Sequence, residues 1–416
     1  MKFRIRHMLG FAVLVAAGTM LCGEARGQAF GVELQANLNP AAGGMGGVGI
    51  ARPQDVQSTL ALNPATLTQK KGTQFSFSGA WVEPTINFDN DAVIPPANIS
   101  QFKSRSRRPG SVVGNIGVTQ DFTSKGLPVT GGIGLLTASG LGVNFRDAIA
   151  SNGTTAELVA LATAVEVGAK LTDRLSVGAG AVVGTTTLDG VFSGTSGATP
   201  DYALRGLLGV TYELNDATTV AAFWHTKQKH TFDNFIRVGG FPNPFLPVDL
   251  AFPNVYGIGV ANSRFCDGRL LLALDFSYLE WSEADFFGDF WDDQFTVQAG
   301  AQYTTTRGCK FRCGYTYADD VSRQIVAPTI GGVTPQAAVD YIAALFPNIN
   351  EHRISGGIGM ELCPGVDVDL FAGGQFNDSR DFGDTAVSIE SYWVGFGTTW
   401  RFGRGACGSD RVKDQW

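Results

Sequence analysis

The chain has 416 residues, a net charge of −7, 54 glycines, 29 phenylalanines and 17% charged residues. Its acidic balance makes it a poor nucleic-acid binder. After residue 30 no run of roughly 18 apolar residues could form a helical span, but a mean hydropathy of +0.06 is compatible with strands that alternate across a membrane.

The N-terminus reads as a targeting signal. Lys2, Arg4, Arg6 and His7 form a basic start, Met8 to Cys22 is mostly apolar, and Ala25, Gly27 and Ala29 offer cleavage sites. The pattern predicts a signal peptide over 1–27, with the mature start near Gln28 or Phe30. Bulky Leu21 argues against a lipid-modified Cys22. Cleavage removes four cations and one acid, which takes the charge to −10.

Residues 28–72 show little alternation. Ala41 to Gly47 is small and glycine-rich, and 55–62 suits a short helix. Asn63 can cap the next turn, with Pro64 in its first position. Asn39-Pro40-Ala41 repeats the Asn63-Pro64-Ala65 triplet without that context.

From Thr73 the period becomes two. Phe75, Phe77, Gly79 and Trp81 oppose Gln74, Ser76, Ser78 and Ala80. Fourteen strands are expected, near 73–84, 111–123, 129–146, 157–171, 175–189, 201–214, 217–232, 249–263, 269–283, 293–305, 310–320, 350–362, 366–378 and 388–402. Tight junctions alternate with long ones: 85–110, 147–156, 190–200, 233–248, 284–292, 321–349 and 379–387. A sandwich would alternate too. Repetition over some 330 residues, with aromatics at strand ends and one short-turn rim, favours a closed transmembrane barrel. The fold class is therefore all-β, a 14-stranded antiparallel transmembrane β-barrel over 73–402. A tail, 403–416, follows Phe402.

Five cysteines remain in the mature chain, an odd number. Cys266, Cys309, Cys363 and Cys407 fall near the short-turn rim, where a disulfide and free thiols are both open readings. Cys313 falls on an oily face. The spacing of Cys309 and Cys313 has no partner pattern for zinc, and no metal or cofactor is expected.

Asn63-Pro64-Ala65, the Thr73–Ala80 strand, Trp81-Val82-Glu83-Pro84 and Ile86-Asn87-Phe88 together resemble the start of the FadL family. These are outer-membrane transporters of long-chain fatty acids, with relatives for aromatic hydrocarbons. The resemblance implies a small, partly helical N-terminal hatch (28–72) that plugs the lumen of a 14-stranded barrel. It also implies a third strand kinked inward to make a side opening. Thr137, Ala138, Ser139 and Gly140 interrupt the third strand with small residues, as an inward bend requires.

The expected function is passive uptake of lipophilic molecules, with Asn63, Pro64 and Ala65 as the hatch motif and an exit at the kink. The expected partners are a fatty acid-like ligand, outer-membrane lipid and the barrel-assembly machinery, and the expected state is a monomer. The chain departs from the family in its short loops near 190–200 and 233–248. The second is oily, and Phe235, Ile236, Phe241, Phe245 and Leu246 are capture candidates; loop packing or self-association is the competing reading. Arg205, Arg353 and Arg401 are candidate lumen cations for a carboxylated ligand. The competing reading pairs them with inward acids such as Glu213, Glu361 or Asp369. Pro335 to Phe346 suits a packed loop helix. His225 and His230 are expected to face water, and no histidine sits in a hydrolase motif. A nonspecific porin, a structural or adhesive barrel and a barrel phospholipase are the rival functions. Inward Leu207, Phe371 and Trp393 argue for an obstructed lumen.

Overall fold

The computed structural model describes residues 35–107, 110–190, 198–237, 245–327 and 335–402. The expected signal peptide and C-terminal tail, with Cys407, lie outside the described residues.

Fourteen antiparallel strands close into a barrel. They are β1 Thr73–Asn90, β2 Ser111–Asp121, β3 Val129–Asn144, β4 Thr155–Lys170, β5 Leu175–Gly190, β6 Thr199–Asn215 and β7 Thr218–His225. The circuit continues with β8 Val255–Phe265, β9 Leu270–Leu279, β10 Gln294–Thr304, β11 Lys310–Ala318, β12 His352–Cys363, β13 Val366–Phe382 and β14 Thr385–Phe402. Each pairs with its sequence neighbours, and β14 pairs with β1 from Thr73↔Phe402 to Asn90↔Thr385. Closure removes both sheet edges, so the wall strands satisfy most of their backbone groups without water.

The alternation sorts the two faces. Phe77, Trp81, Ile116, Ile133, Leu135, Val165, Ile258, Phe295, Ile354 and Val394 are exposed outward, forming an apolar belt. Ser76, Ser78, Asn115, Glu166, Gln298, Thr316 and Arg353 face inward and are buried. Leu207, Phe371 and Trp393 are also buried inside, as expected.

β1 runs on to Asn90 rather than ending near 84, and three further features differ from the sequence reading. β7 stops at His225, and Gln228–Arg237 instead pairs with Phe245–Phe252 as a separate two-stranded hairpin. β13 and β14 extend until only residues 383–384 join them, so the expected loop 379–387 is absent there. A short strand, Phe102–Arg105, adds to the top of β1 within the loop after it.

Gln35 to Lys70 lies inside the barrel, and residues 36–50 are all buried. Two short helices, α1 Pro40–Gly43 and α2 Val56–Ala61, share one carboxylate. Asp55 Oδ1 accepts from Ser58 N at 2.6 Å, and its Oδ2 accepts from Ala41 N and Ala42 N, each at 2.9 Å. The acid caps α2 and also meets the positive end of α1.

Wall glycines make room for this inner segment. A Cβ built at Gly314 would strike Met45 and Gly46, one at Gly300 would strike Met45 and Val48, and one at Gly178 would strike Pro64 and Ala65. The far mouth is filled by loops. The helix α3 (Gln336–Leu345) and loop 280–293 bury Tyr341, Phe346, Trp281, Phe287 and Trp291 against Phe88, Phe145 and Phe252.

Candidate functional site: the inner segment and the gap in the wall

Asn63 fastens the inner segment. Its Oδ1 accepts from Ala65 N at 3.0 Å and caps the turn Pro64–Gln69, while Nδ2 donates to Ile50 O at 3.0 Å. The same amide reaches Val210 O of β6 at 3.3 Å and Ala222 O of β7 at 3.4 Å. A Cβ on Gly209 would collide with Asn63 Oδ1, so a glycine on the wall permits this approach. Pro64 and Ala65 are buried beside it. Below them, Leu60 and Leu67 pack with Val56, Leu136 and Leu207. Each such side chain contributes about 1.5–3 kcal/mol of burial.

The wall is interrupted between β2 and β3. Their ladder runs only from Asp121↔Thr130 to Ile116↔Leu135, whereas β3 stays paired with β4 up to Asn144↔Thr155. The β3–β4 register shifts between Thr137 and Ser139, so Ala138 is the bulged residue. Beyond it Leu141, Gly142 and Val143 are all buried, because the strand has turned into the interior. Thr137, Ala138, Ser139 and Gly140 therefore lie where β3 has no ladder to β2. Residues 106–107 cap the upper end of that stretch, where Arg107 N donates to Asn144 O at 2.8 Å and Asn144 N donates to Ser106 Oγ at 3.0 Å.

Two side chains bridge the start of the gap: Thr137 Oγ1 donates to Gly114 O at 3.2 Å, and Asn115 reaches across from the other strand. Asn115 Oδ1 accepts from Thr137 N at 2.8 Å, and its Nδ2 donates to Asn39 Oδ1 of the inner segment at 3.0 Å. Asn39 Nδ2 in turn donates to Ser58 Oγ at 3.1 Å. The end of the β2–β3 ladder and the inner segment are thus joined by a continuous chain of hydrogen bonds. Sequence reasoning missed Asn39 and Asn115. Their only signal was the repeated Asn-Pro-Ala triplet at 39–41 and an inward asparagine in β2.

The three arginines are not gathered into one cluster. Arg205 Nε and Nη2 donate to Thr226 O and Pro253 O, each at 2.9 Å, which clasps the base of the hairpin. Arg401 pairs with Glu361 and Asp367, each at 3.0 Å, at the short-turn rim. Arg353 is 1% exposed, in an inward row with Thr316 and Gln375 on adjacent strands. A fourth cation, Arg312, forms a buried 2.6 Å pair with Asp369.

The capture candidates fall on the hairpin. Phe235 and Ile236 lie in one strand, Phe245 and Leu246 in the other, and Phe241 lies outside the described residues. His230, on the same hairpin, is fully buried rather than facing water. It contacts Thr186 Oγ1 at 3.1 Å and Asp201 Oδ2 at 3.2 Å. This order of groups resembles a catalytic triad, but Thr186 is itself wholly buried and Phe232 and Phe252 flank the imidazole. The network holds the hairpin against β5 and β6. His225 is buried too, 2.7 Å from Leu62 O of the inner segment. A cavity of 370 Å³ at the long-loop rim is lined by Arg323, Asp340, Arg380 and Asp381, a charged setting unlike an oily groove. Cys266, Cys309, Cys313 and Cys363 are free thiols.

No protein-family model matches the chain, and no curated protein matches it. Solved structures do. The toluene transporter TodX of Pseudomonas putida is 16% identical with a TM-score of 0.66, over 89% of this chain and 99% of that one. A FadL homologue of Pseudomonas aeruginosa is 13% identical with a TM-score of 0.66, over 91% of this chain and 100% of that one. The monoaromatic hydrocarbon channel CymD is 18% identical with a TM-score of 0.57, over 89% and 99%. The chain has the FadL-type barrel fold over nearly its whole described length.

Proposed function

We propose that the chain is an outer-membrane channel for passive uptake of hydrophobic compounds, with the inner segment as its hatch and the β2–β3 gap as its lateral exit. The observation that carries this reading is the β2–β3 ladder, which stops at Ile116↔Leu135 while its own strand bends inward. Among the FadL-type neighbours, one is named for toluene and one for monoaromatic hydrocarbons, which supports a lipophilic cargo.

A path through the protein suits such a cargo. The buried cluster at the long-loop mouth contains Phe88, Phe145, Tyr341 and Phe346. Ala138 packs both against this cluster and against the one containing Leu60, Leu67 and Leu136. An oily solute passing between the loops gains about 0.8 kcal/mol per buried methylene, then meets the hatch below and the membrane beside it. Leaving sideways keeps it out of water. The hatch keeps the lumen sealed to polar solutes, and Asn115 joins the hatch to the rim of the exit. A signal peptide at 1–27, delivery by the barrel-assembly machinery and a monomeric state complete the reading.

Two variants test it. Ala138→Trp should fill the exit and lower uptake of a radiolabelled fatty acid or toluene by about tenfold, the effect of blocking an apolar path with an overpacked ring. A chain lacking residues 35–47 should lose selectivity and admit polar solutes. Both should still show heat-modifiable migration of a folded barrel. Unchanged uptake in Ala138→Trp, with the indole seated in the gap, would reject the lateral exit.

A further inference from the structure

We infer that the outward face of segment 102–107 is a docking site for the phosphate groups of an outer-leaflet glycolipid, placed directly above the gap in the wall. Lys103, Arg105 and Arg107 are exposed, and Phe102, Ser104 and Ser106 between them are half-buried. The strand thus presents a cation at every second residue on one face. Pairing with β1 sets Arg105 beside Asn87 and Lys103 beside Asp89. Lower on that face the apolar belt ends at Trp81, which pairs with Val112 of β2. Arg105 reaches down to Thr85 Oγ1 at 2.9 Å. Thr85 lies about 13 Å along the strand from Trp81, or about 10 Å along the membrane normal at barrel tilt. That height is the headgroup zone above the hydrocarbon.

The cations already have partners, but weak ones. Lys103 lies 2.5 Å from Asp89, with side chains 74% and 36% exposed. Arg107 lies 2.9 Å from Asp147, with side chains 73% and 57% exposed. Pairs so open to water are worth about 0–1 kcal/mol. A phosphate offers arginine two parallel hydrogen bonds and more charge than a carboxylate. Glu83 and Glu390 lie lower on the same face, so the phosphate must meet the cations from above them.

Residues 102–107 hold three cations and no acid, and the acids beside them, Asp89 and Asp147, come from neighbouring segments. On so acidic a molecule a soluble anion is repelled over most of the surface. A phosphate anchored in the leaflet is presented at this one height, and two on one glycolipid bind with the advantage of linkage.

The inference rests on the outer-membrane placement proposed above, so insertion and binding are measured separately. The full barrel is reconstituted in phosphatidylcholine vesicles, and retention of diphosphorylated lipid A is read by native mass spectrometry. The triple variant K103Q/R105Q/R107Q should insert normally and retain lipid A about tenfold less, as expected from losing several charge-assisted contacts. K227Q/K229Q, at another part of the rim, should retain it like the parent. Equal retention by the triple variant, or of lipid A stripped of its phosphates, would overturn the site. Displacement of lipid A from the parent by millimolar inorganic phosphate would overturn the glycolipid assignment in favour of a soluble anion. Loss of retention on chelating magnesium, with no effect of the triple variant, would shift the contact to the carboxylates. Failure of the parent to insert would reject the placement itself.

Discussion

Asn115 does the work of a missing stretch of ladder. Where β2 and β3 part, its carboxamide takes the Thr137 N–H that a sheet partner would otherwise take. Its other end is spent on Asn39, so wall and hatch share one side chain. In Asn115→Ala the Thr137 N–H loses this acceptor. An orphaned polar group of this kind costs about 1–3 kcal/mol, so amide exchange at Thr137 and over residues 39–47 should quicken about tenfold or more. Exchange confined to Thr137 alone would show that the hatch does not depend on this link.

Lys70 gives the hatch a pH dependence. Its ammonium donates to Pro53 O at 2.8 Å, and burial pushes its pKa down from the usual 10.5 to about 8, with Asp55 opposing. An undocked hatch holds the proton up to about pH 10.5, so between about pH 8 and 10.5 docking releases it. Docking therefore strengthens as pH rises through that window, by about 3 kcal/mol in the limit, and the gain is lost again as pH falls towards 8. Exchange protection of residues 55–68, corrected for intrinsic rates, should rise accordingly, and Lys70→Met should remove the trend. A flat profile in the parent would reject it.

At the scale of elements, the hatch and wall are shaped to each other through glycine. Gly46 and Gly47 have φ of +71° and +81°, and Gly46 lies against the backbone of Tyr315 and Gly314. Facing glycines bring two backbones together, so Thr316 Oγ1 can donate to Gly46 O at 2.8 Å and Asp275 Oδ2 can accept from Gly49 N and Ile50 N. Gly314→Leu should expel Met45 while leaving the β-barrel closed. The check is a hatch newly accessible to added protease, in a chain that still migrates as a folded barrel. A protected hatch would mean that the segment has room to shift.

The fourteen strands and two rims were legible because a half-buried strand must alternate, residue by residue, within its own sequence. The bulge region 137–140 was legible too, since small residues break that pattern. The hairpin was not. Thr226 to Phe232 continues the alternation of β7, but Arg205 and the buried Thr186–His230–Asp201 network hold that chain away from the wall.

Across the whole molecule the lumen is filled from both ends, by the hatch on the short-turn side and by α3 and loop 280–293 on the other. The 54 glycines fit this design, because a barrel this size leaves an interior that an ordered segment can occupy only if the wall is smooth where they touch. The sequence by itself determined the strand period, the count of strands, the short-turn rim and the capped turn at Asn63, all of which depend on neighbours a few residues apart. Only the tertiary structure decided where the β2–β3 ladder stops, that Asn39 and Asn115 meet across the gap, and that Arg205 serves the hairpin rather than an acid. Those depend on register and on contacts between residues tens to hundreds of positions apart, which no local pattern encodes.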